Sequence, residues 1–95
     1  MSVSNEEKEC RYSKTIRHRI ARNVGHLDTV KKMMDESADF SDIMMQLAAV
    51  RASLTSTANK LMAEQMNQAL QEAEETGDSA FLKEVYHTVD KYFGR

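Results

Sequence analysis

The stretch SDIMMQLAAVRASLTSTANKLMAEQMNQALQEAEE, residues 41–75, decides the fold class. It contains neither proline nor glycine and is rich in Ala, Leu, Met, Glu and Gln, which are strong helix formers. Apolar residues recur in it at three- and four-residue steps, so we expect one helix from about Ser41 to Glu75. Such a helix spans about 50 Å at 1.5 Å per residue. That length exceeds what a compact protomer of 95 residues can cover, and it predicts a partner subunit.

An arginine interrupts the apolar face of this helix. Arg51 lies near its centre, with Gln65 further along, and a charge among apolar side chains is costly unless it has a partner. Two explanations stay open, a contact with DNA or an ion pair with an acid of a neighbouring helix. The apolar face itself consists of Phe40, Ile43, Met44, Leu47, Leu54, Ala58, Leu61, Met62, Met66, Ala69 and Leu70.

Two further helices are predicted beside the long one. The first runs from near Arg11 to Glu36, and Asp39 or Ser41 can then cap the long helix. Gly77 predicts the end of the long helix, and Asp78 or Ser79 the start of the third. We expect the first two helices to pack as an antiparallel hairpin. Their apolar stripes are Tyr12, Ile16, Ile20, Leu27, Val30 and Met34 in the first helix, and Phe81, Leu82, Val85, Val89 and Phe93 in the third.

The whole chain indicates one small all-α domain, residues 11–95, after a flexible N-terminus of residues 1–10. Cys10 is the single cysteine, so an internal disulfide and a multi-cysteine zinc site are excluded. The N-terminal MSVSNEEKEC lacks the apolar core of a secretory signal, and no apolar run is long enough to span a membrane. We therefore expect a cytoplasmic protein.

The net charge of −2 hides a basic segment near the N-terminus. Between Lys8 and Arg22, six basic residues stand against one acid, Glu9. Helical spacing places four side chains opposite the apolar stripe of the first helix, with Arg17 and Arg19 beside them. A basic face of this kind predicts contact with a polyanion, although a solvated helix face is the commoner meaning of a charge run. The four side chains are Arg11, Lys14, His18 and Arg22.

Enzyme chemistry and metal binding find little support in the sequence. The three histidines have no nucleophile near them in sequence, and the chain has no Gly-rich phosphate loop. His18 and His26 are about 12 Å apart along one helix, so they cannot share a metal ion within one chain. Packing explains most of the periodic methionines, and a methionine site for a soft metal is the less favoured alternative. Tyr86 and Tyr92 are expected at the edge of the core and not as ligands.

Three segments resemble a known family: RIARNVGHLDTVKKMMDE at 19–36, SDIMMQLAAVRASL at 41–54 and ANKLMAEQM at 58–66. Together they are similar to the copper-sensing repressor family of bacteria, which also includes nickel/cobalt, formaldehyde and persulfide sensors. The resemblance covers roughly residues 11–94. It implies a three-helix protomer, a dimer built on the long hairpins, and a dimer-of-dimers tetramer that represses transcription on operator DNA without a helix-turn-helix. It places the family's DNA-contacting arginine on Arg22 and a second basic position on Arg51.

The same resemblance marks a departure at the inducer site. The family's Cys, His and Cys ligands fall on Phe40, Gln65 and Ala69, and none of these side chains suits Cu(I), which prefers thiolate and imidazole. The family's tyrosine before the first ligand is Asp39, whereas an acid that supports the copper ligands is kept as Glu84. We therefore predict an operator-binding homotetramer with no metal or other cofactor at this site and an unknown inducer. The competing hypothesis is a helical oligomeric adaptor that does not bind DNA.

Overall fold

The computed structural model describes residues 11–94, and it contains three helices. They are α1 (Lys14–Asp35), α2 (Phe40–Thr76) and α3 (Ala80–Phe93). No strand occurs in this part of the chain, so the predicted all-α class is confirmed. The predicted N-terminal segment 1–10, with Cys10, lies outside the described residues.

Local hydrogen bonds explain where α1 begins and ends. The Ser13 hydroxyl accepts the Ile16 N–H at 3.2 Å, so the helix starts at Lys14 and not near Arg11 as predicted. At the other end, Ser37 takes a left-handed backbone conformation with φ 59°. Its N–H bonds to the Met34 carbonyl at 3.0 Å, and the Ala38 N–H bonds to the Met33 carbonyl at 2.9 Å. These two bonds form a Schellman motif, which ends the helix.

The ends of α2 follow the predicted signals. The Asp39 carbonyl accepts the Ile43 N–H at 3.1 Å just before the helix, whereas Ser41 lies inside it and is not its cap. Gly77 has φ 76° and donates its N–H to the Ala73 carbonyl at 2.9 Å, which confirms it as the terminator. Asp78 then accepts the Ala80 N–H through its carboxylate at 3.0 Å, and α3 follows.

The chain forms two compact units, one up to Ala58 and one from Asn59. In the first unit, a connection of residues 36–39 joins α1 to the N-terminal part of α2 in an antiparallel hairpin, as expected. Its buried residues recur at seven-residue spacing on both helices, which is the pattern of two helices in lengthwise contact. They are Ile16, Asn23 and Val30 on α1, and Ile43, Val50 and Thr57 on α2.

The apolar stripe predicted for α1 is only partly the buried one. Ile16 and Val30 are buried, but Ile20, Leu27 and Met34 expose 44%, 44% and 52% of their surface. These three also recur every seven residues, and each is four positions, or about one helical turn, after a residue of the buried row. α1 therefore has two apolar rows, and the hairpin covers only one of them.

The second unit contains the C-terminal part of α2 and α3. Ala69 and Val85 are its buried residues. Tyr86, Tyr92 and Phe93 each expose more than half of their surface, so the expectation that they belong to the core or its edge is wrong for this unit. Phe81, Leu82 and Val89 are half-buried, as the predicted apolar face of α3 requires. Over the described residues, no helix is both long and apolar enough to cross a membrane.

Candidate nucleic-acid interface

The hairpin of the first unit sets the positions of the predicted DNA-contacting residues. Asn23 is 12 residues before the last residue of α1 and Val50 is 10 residues after the first residue of α2, so an antiparallel arrangement places them at similar levels. Val30 and Ile43 have the same offset, being 5 residues before the last residue of α1 and 3 residues after the first residue of α2. The middle level therefore contains a buried amide, which bonds within its own helix: Asn23 Nδ2 donates to the Arg19 carbonyl at 3.1 Å.

A hydrogen bond between side chains joins the two helices. His26 Nε2 and Gln46 Oε1 are 2.7 Å apart, and both residues are half-buried. Because amide oxygen is an acceptor, the imidazole nitrogen donates in this bond. The bond lies between the Asn23–Val50 level and the Val30–Ile43 level, so it connects α1 to α2 near the middle of the hairpin.

Three of the predicted basic residues form a row on α1. Lys14, His18 and Arg22 follow one another at four-residue steps, and all are exposed. None of the three forms an ion pair with another residue in the range 11–94. The ion pair that α1 does contain lies further along, where Lys31 Nζ is 3.0 Å from Asp35 Oδ2. We call these three residues the basic row.

The remaining basic residues of the first unit differ in their surroundings. Arg11 is exposed and precedes the helix, Arg17 is exposed, and Arg19 is half-buried beside the hairpin seam. The predicted basic face is therefore accessible along α1, with Arg19 partly withdrawn from solvent.

Arg51 lies on the other side of the hairpin from Arg22. Arg22 is one position before buried Asn23, and Arg51 is one position after buried Val50. At about 100° per residue, these steps turn in the same sense on two antiparallel helices, so the two side chains point to opposite sides. Arg51 is exposed and forms no ion pair within residues 11–94, so the alternative of an ion pair with an acid of a neighbouring helix is not realised inside the described part of this protomer.

The surface around Arg51 is apolar and open to solvent. Met44 and Leu54 on α2 are exposed, and so is Val24 on α1. Arg51 is thus the charged residue of an apolar surface, as the sequence indicated, although this surface is not the one that packs in the hairpin.

The four predicted effector-pocket positions are divided between the two units. Phe40, the first residue of α2, belongs to the first unit and exposes 77% of its surface. Gln65, Ala69 and Glu84 belong to the second unit. Ala69 is fully buried at 0% exposure, Gln65 is half-buried and Glu84 is exposed.

Between residues 11 and 94, no three His, Cys, Asp or Glu side chains lie close enough together to hold a metal ion. The side chains at the three ligand positions are a phenyl ring, an amide and a methyl group, which are not ligands for a soft cation.

Comparison with protein families decides the assignment. The family model described as metal-sensitive transcriptional repressor matches residues 12–91, which is most of the chain. The chain belongs to the metal-sensitive transcriptional repressor family. No curated protein and no solved structure matched it.

Membership of the metal-sensitive repressor family confirms the resemblance drawn from the three sequence segments. The members of this family are transcriptional repressors, so the prediction that the chain is not an enzyme is also confirmed. The family assignment implies DNA as a partner. The contacts assigned to Arg11, Lys14, His18, Arg22 and Arg51 stay predictions.

In this metal-sensitive repressor, the apolar periodicity of the sequence does not predict the buried amide or the link between the helices. Asn23, His26 and Gln46 are polar, so a pattern of periodic apolar residues does not include them. The signal that could have found them was their spacing: Asn23 continues the seven-residue row of Ile16 and Val30, and His26 is three residues after Asn23 on the same face.

Proposed function

We propose that the protein represses transcription by binding operator DNA through the exposed basic row of α1. The observation that carries this proposal is that Lys14, His18 and Arg22 are exposed at four-residue steps with no acid paired to them within residues 11–94. Lysine and arginine cations on one helix face, with an imidazole between them, are suited to phosphate oxygens. Arg11 adds a further charge just before the helix.

An oligomer repeats the basic row, so contacts that are weak singly can together bind DNA tightly. We propose a homotetramer, which presents four copies of the basic row to one DNA segment, so that the contacts act together. Each neutralised phosphate releases counterions and adds to the salt dependence of binding. The acidic remainder of the chain disfavours other surfaces for this contact, because the net charge is −2 in spite of the basic segment.

The apolar surface of the first unit supports self-association. Ile20, Val24, Leu27 and Met34 are exposed along α1, and Met44 and Leu54 are exposed on α2. Exposed apolar residues that follow one another along a helix mark an interaction surface more often than solvated structure. We propose that a second copy covers this apolar surface.

Binding of promoter DNA can be tested by fluorescence anisotropy over a range of salt concentrations. Wild-type protein should bind its own promoter region at low salt, and the logarithm of affinity should fall linearly with the logarithm of salt concentration. Arg22→Ala should weaken binding and reduce that slope by about 0.9 for each phosphate that Arg22 neutralises. Lys83→Ala removes an exposed charge from α3 and serves as the matched control, with near wild-type affinity.

Two observations favour a second function, and the same experiment decides it. The sequence pI is about 5.9, and the exposed apolar surface is extensive, both of which fit a helical oligomeric adaptor. If wild-type protein shows no affinity for promoter DNA at low salt while remaining oligomeric, the adaptor function replaces the repressor function.

We further propose that the metal-sensing chemistry of the family is lost in this member. Phe40, Gln65 and Ala69 supply no thiolate and no imidazole, so no cofactor is expected there and the inducer is a different ligand or a partner. A cytoplasmic location follows from binding to chromosomal DNA.

Competition with a Cu(I) chelator tests the loss of the sensor. The protein should not remove Cu(I) from a strong chelator, and copper should not release it from DNA. A stoichiometric copper site that persists in Cys10→Ala would contradict the proposal, because thioethers or histidines would then have formed a site elsewhere.

A further inference from the structure

The hydrogen bond between His26 and Gln46 stands at the end of the basic row. Lys14, His18 and Arg22 follow at four-residue steps, and the next step along α1 is His26. Because the helix turns slightly more than one full revolution in four residues, this row moves around α1 until His26 faces α2. There its ring bonds to Gln46 at 2.7 Å. The side chain that joins the helices is thus one turn from Arg22.

Apart from this hydrogen bond, the hairpin is held mainly by aliphatic packing, which constrains its rotation less sharply. The buried residues are mostly aliphatic, and apolar contact is non-directional. Asn23 bonds to its own helix, and Thr57 Oγ1 is buried without a hydrogen-bond partner, so neither amide nor hydroxyl fixes one helix against the other. A hydrogen bond has a narrow range of distance and angle, and it can set the register where aliphatic contacts do not.

A small rotation of α1 is large on the scale of a phosphate contact. Side chains at the surface of a helix are about 5–6 Å from its axis, so a rotation of about 20° displaces them by about 2 Å. A donor and acceptor separated by a further 2 Å no longer form a hydrogen bond. The direction of Arg22 therefore depends on what fixes the rotation of α1.

We propose that His26 and Gln46 are positioning residues that fix the rotation of α1 in the hairpin and thereby aim the basic row at DNA. The inference rests on the proposed operator binding for its functional consequence. His26 and Gln46 do not contact DNA themselves, since both are half-buried in the seam between the two helices.

Leucine substitutions separate positioning from stability. In His26→Leu/Gln46→Leu both polar groups are replaced by apolar ones of similar size, so folding and assembly should be nearly unchanged. Affinity for promoter DNA should fall by up to about tenfold per protomer, because the competent orientation is then only one of several. His26→Gln keeps a side-chain donor for Gln46 and should restore near wild-type affinity. Val30→Ala provides the opposite control: it should lower the thermal midpoint through weaker packing, yet keep DNA affinity when measured well below that midpoint.

A measurement without DNA distinguishes this inference from the proposed function. Spin labels at Ala21→Cys and Ala52→Cys, two exposed positions on α1 and α2, report the geometry of the hairpin in a Cys10→Ser background. Labelled protein is diluted with unlabelled protein so that distances within one protomer dominate. The distance distribution should be narrow with His26 and Gln46 present and broader in the double leucine variant.

The experiments distinguish a failure of the proposed operator binding from a failure of the positioning role. If wild-type protein fails to bind promoter DNA, the proposed function fails, and the label distances still decide whether the pair fixes the hairpin. If the double leucine variant gives the wild-type distance distribution, or binds DNA with wild-type affinity, the positioning role is overturned. A loss of affinity in His26→Gln equal to that of the double variant would also overturn it.

Discussion

Ser37 is a single residue on which the turn between α1 and α2 depends. Its φ of 59° is left-handed, a conformation that is unfavourable by roughly 1–2 kcal/mol for residues with a Cβ atom. The two hydrogen bonds of the Schellman motif hold it there. Gly77 adopts the same left-handed conformation at the end of α2, where glycine has no steric penalty because it lacks a Cβ atom.

We predict that Ser37→Gly raises the free energy of unfolding by about 1 kcal/mol, because glycine adopts the left-handed conformation without a Cβ clash. Thermal unfolding at fixed protein concentration measures the change, since assembly also contributes to the midpoint. Ser41→Gly, inside α2, is the control and should lower stability by about 0.5 kcal/mol. Equal losses in both variants would show that the backbone at Ser37 is not strained.

A second residue-scale prediction concerns Arg51. Arg51→Ala should weaken binding to promoter DNA and leave the oligomeric mass unchanged, while Lys60→Ala, another exposed position of α2, should do neither. Light scattering and anisotropy on the same samples measure both properties. A change in mass without a loss of DNA affinity would instead assign Arg51 to the contact between subunits, which its apolar surroundings would then explain.

At the scale of the element, α1 combines a structural face with a basic face, and its first turn carries both. Ser13 caps the helix through a 3.2 Å bond to the Ile16 N–H, and Lys14, the first residue of the basic row, immediately follows. Fraying of this turn would release Lys14 and uncover Ile16, which is 5% exposed.

Ser13→Ala should therefore lower the free energy of unfolding by about 1 kcal/mol and weaken DNA binding slightly. Hydrogen exchange should show faster exchange of the amides in the first turn of α1, with later turns little changed. Thr15→Ala, an exposed position in the same turn, is the control and should be neutral or stabilising because alanine favours the helix. Uniformly faster exchange along α1 would mean that Ser13 acts through the whole hairpin.

For the whole molecule, the exposed apolar rows require a partner. α2 has 37 residues, and its exposed apolar side chains range from Phe40 to Leu70. We predict a tetramer by light scattering at micromolar concentration. Leu27→Glu places a charge in the exposed row of α1 and should reduce the mass, whereas Asp28→Asn, at the next position, should not. A monomeric wild-type protein would contradict the proposed assembly.

The three helices and most of their ends could be predicted from the sequence, because they depend on nearby residues. Gly77 and Asp39 act within one turn, and the absence of proline lets α2 continue over its whole length. The basic row could also be predicted, since spacing alone places residues on one helix face. Only the tertiary structure decided which apolar row of α1 packs in the hairpin.

Two such rows, Ile16 with Val30 and Ile20 with Leu27, have the same periodicity, and no local rule distinguishes them. The choice depends on the rotation of α1 against α2, which is set by contacts between residues far apart in the chain. Asn23 is buried and His26 meets Gln46 because of that rotation, and a pattern of apolar residues contains no information about it. For the same reason, Arg22 and Arg51 lie on opposite sides of the hairpin although the resemblance assigned both to DNA.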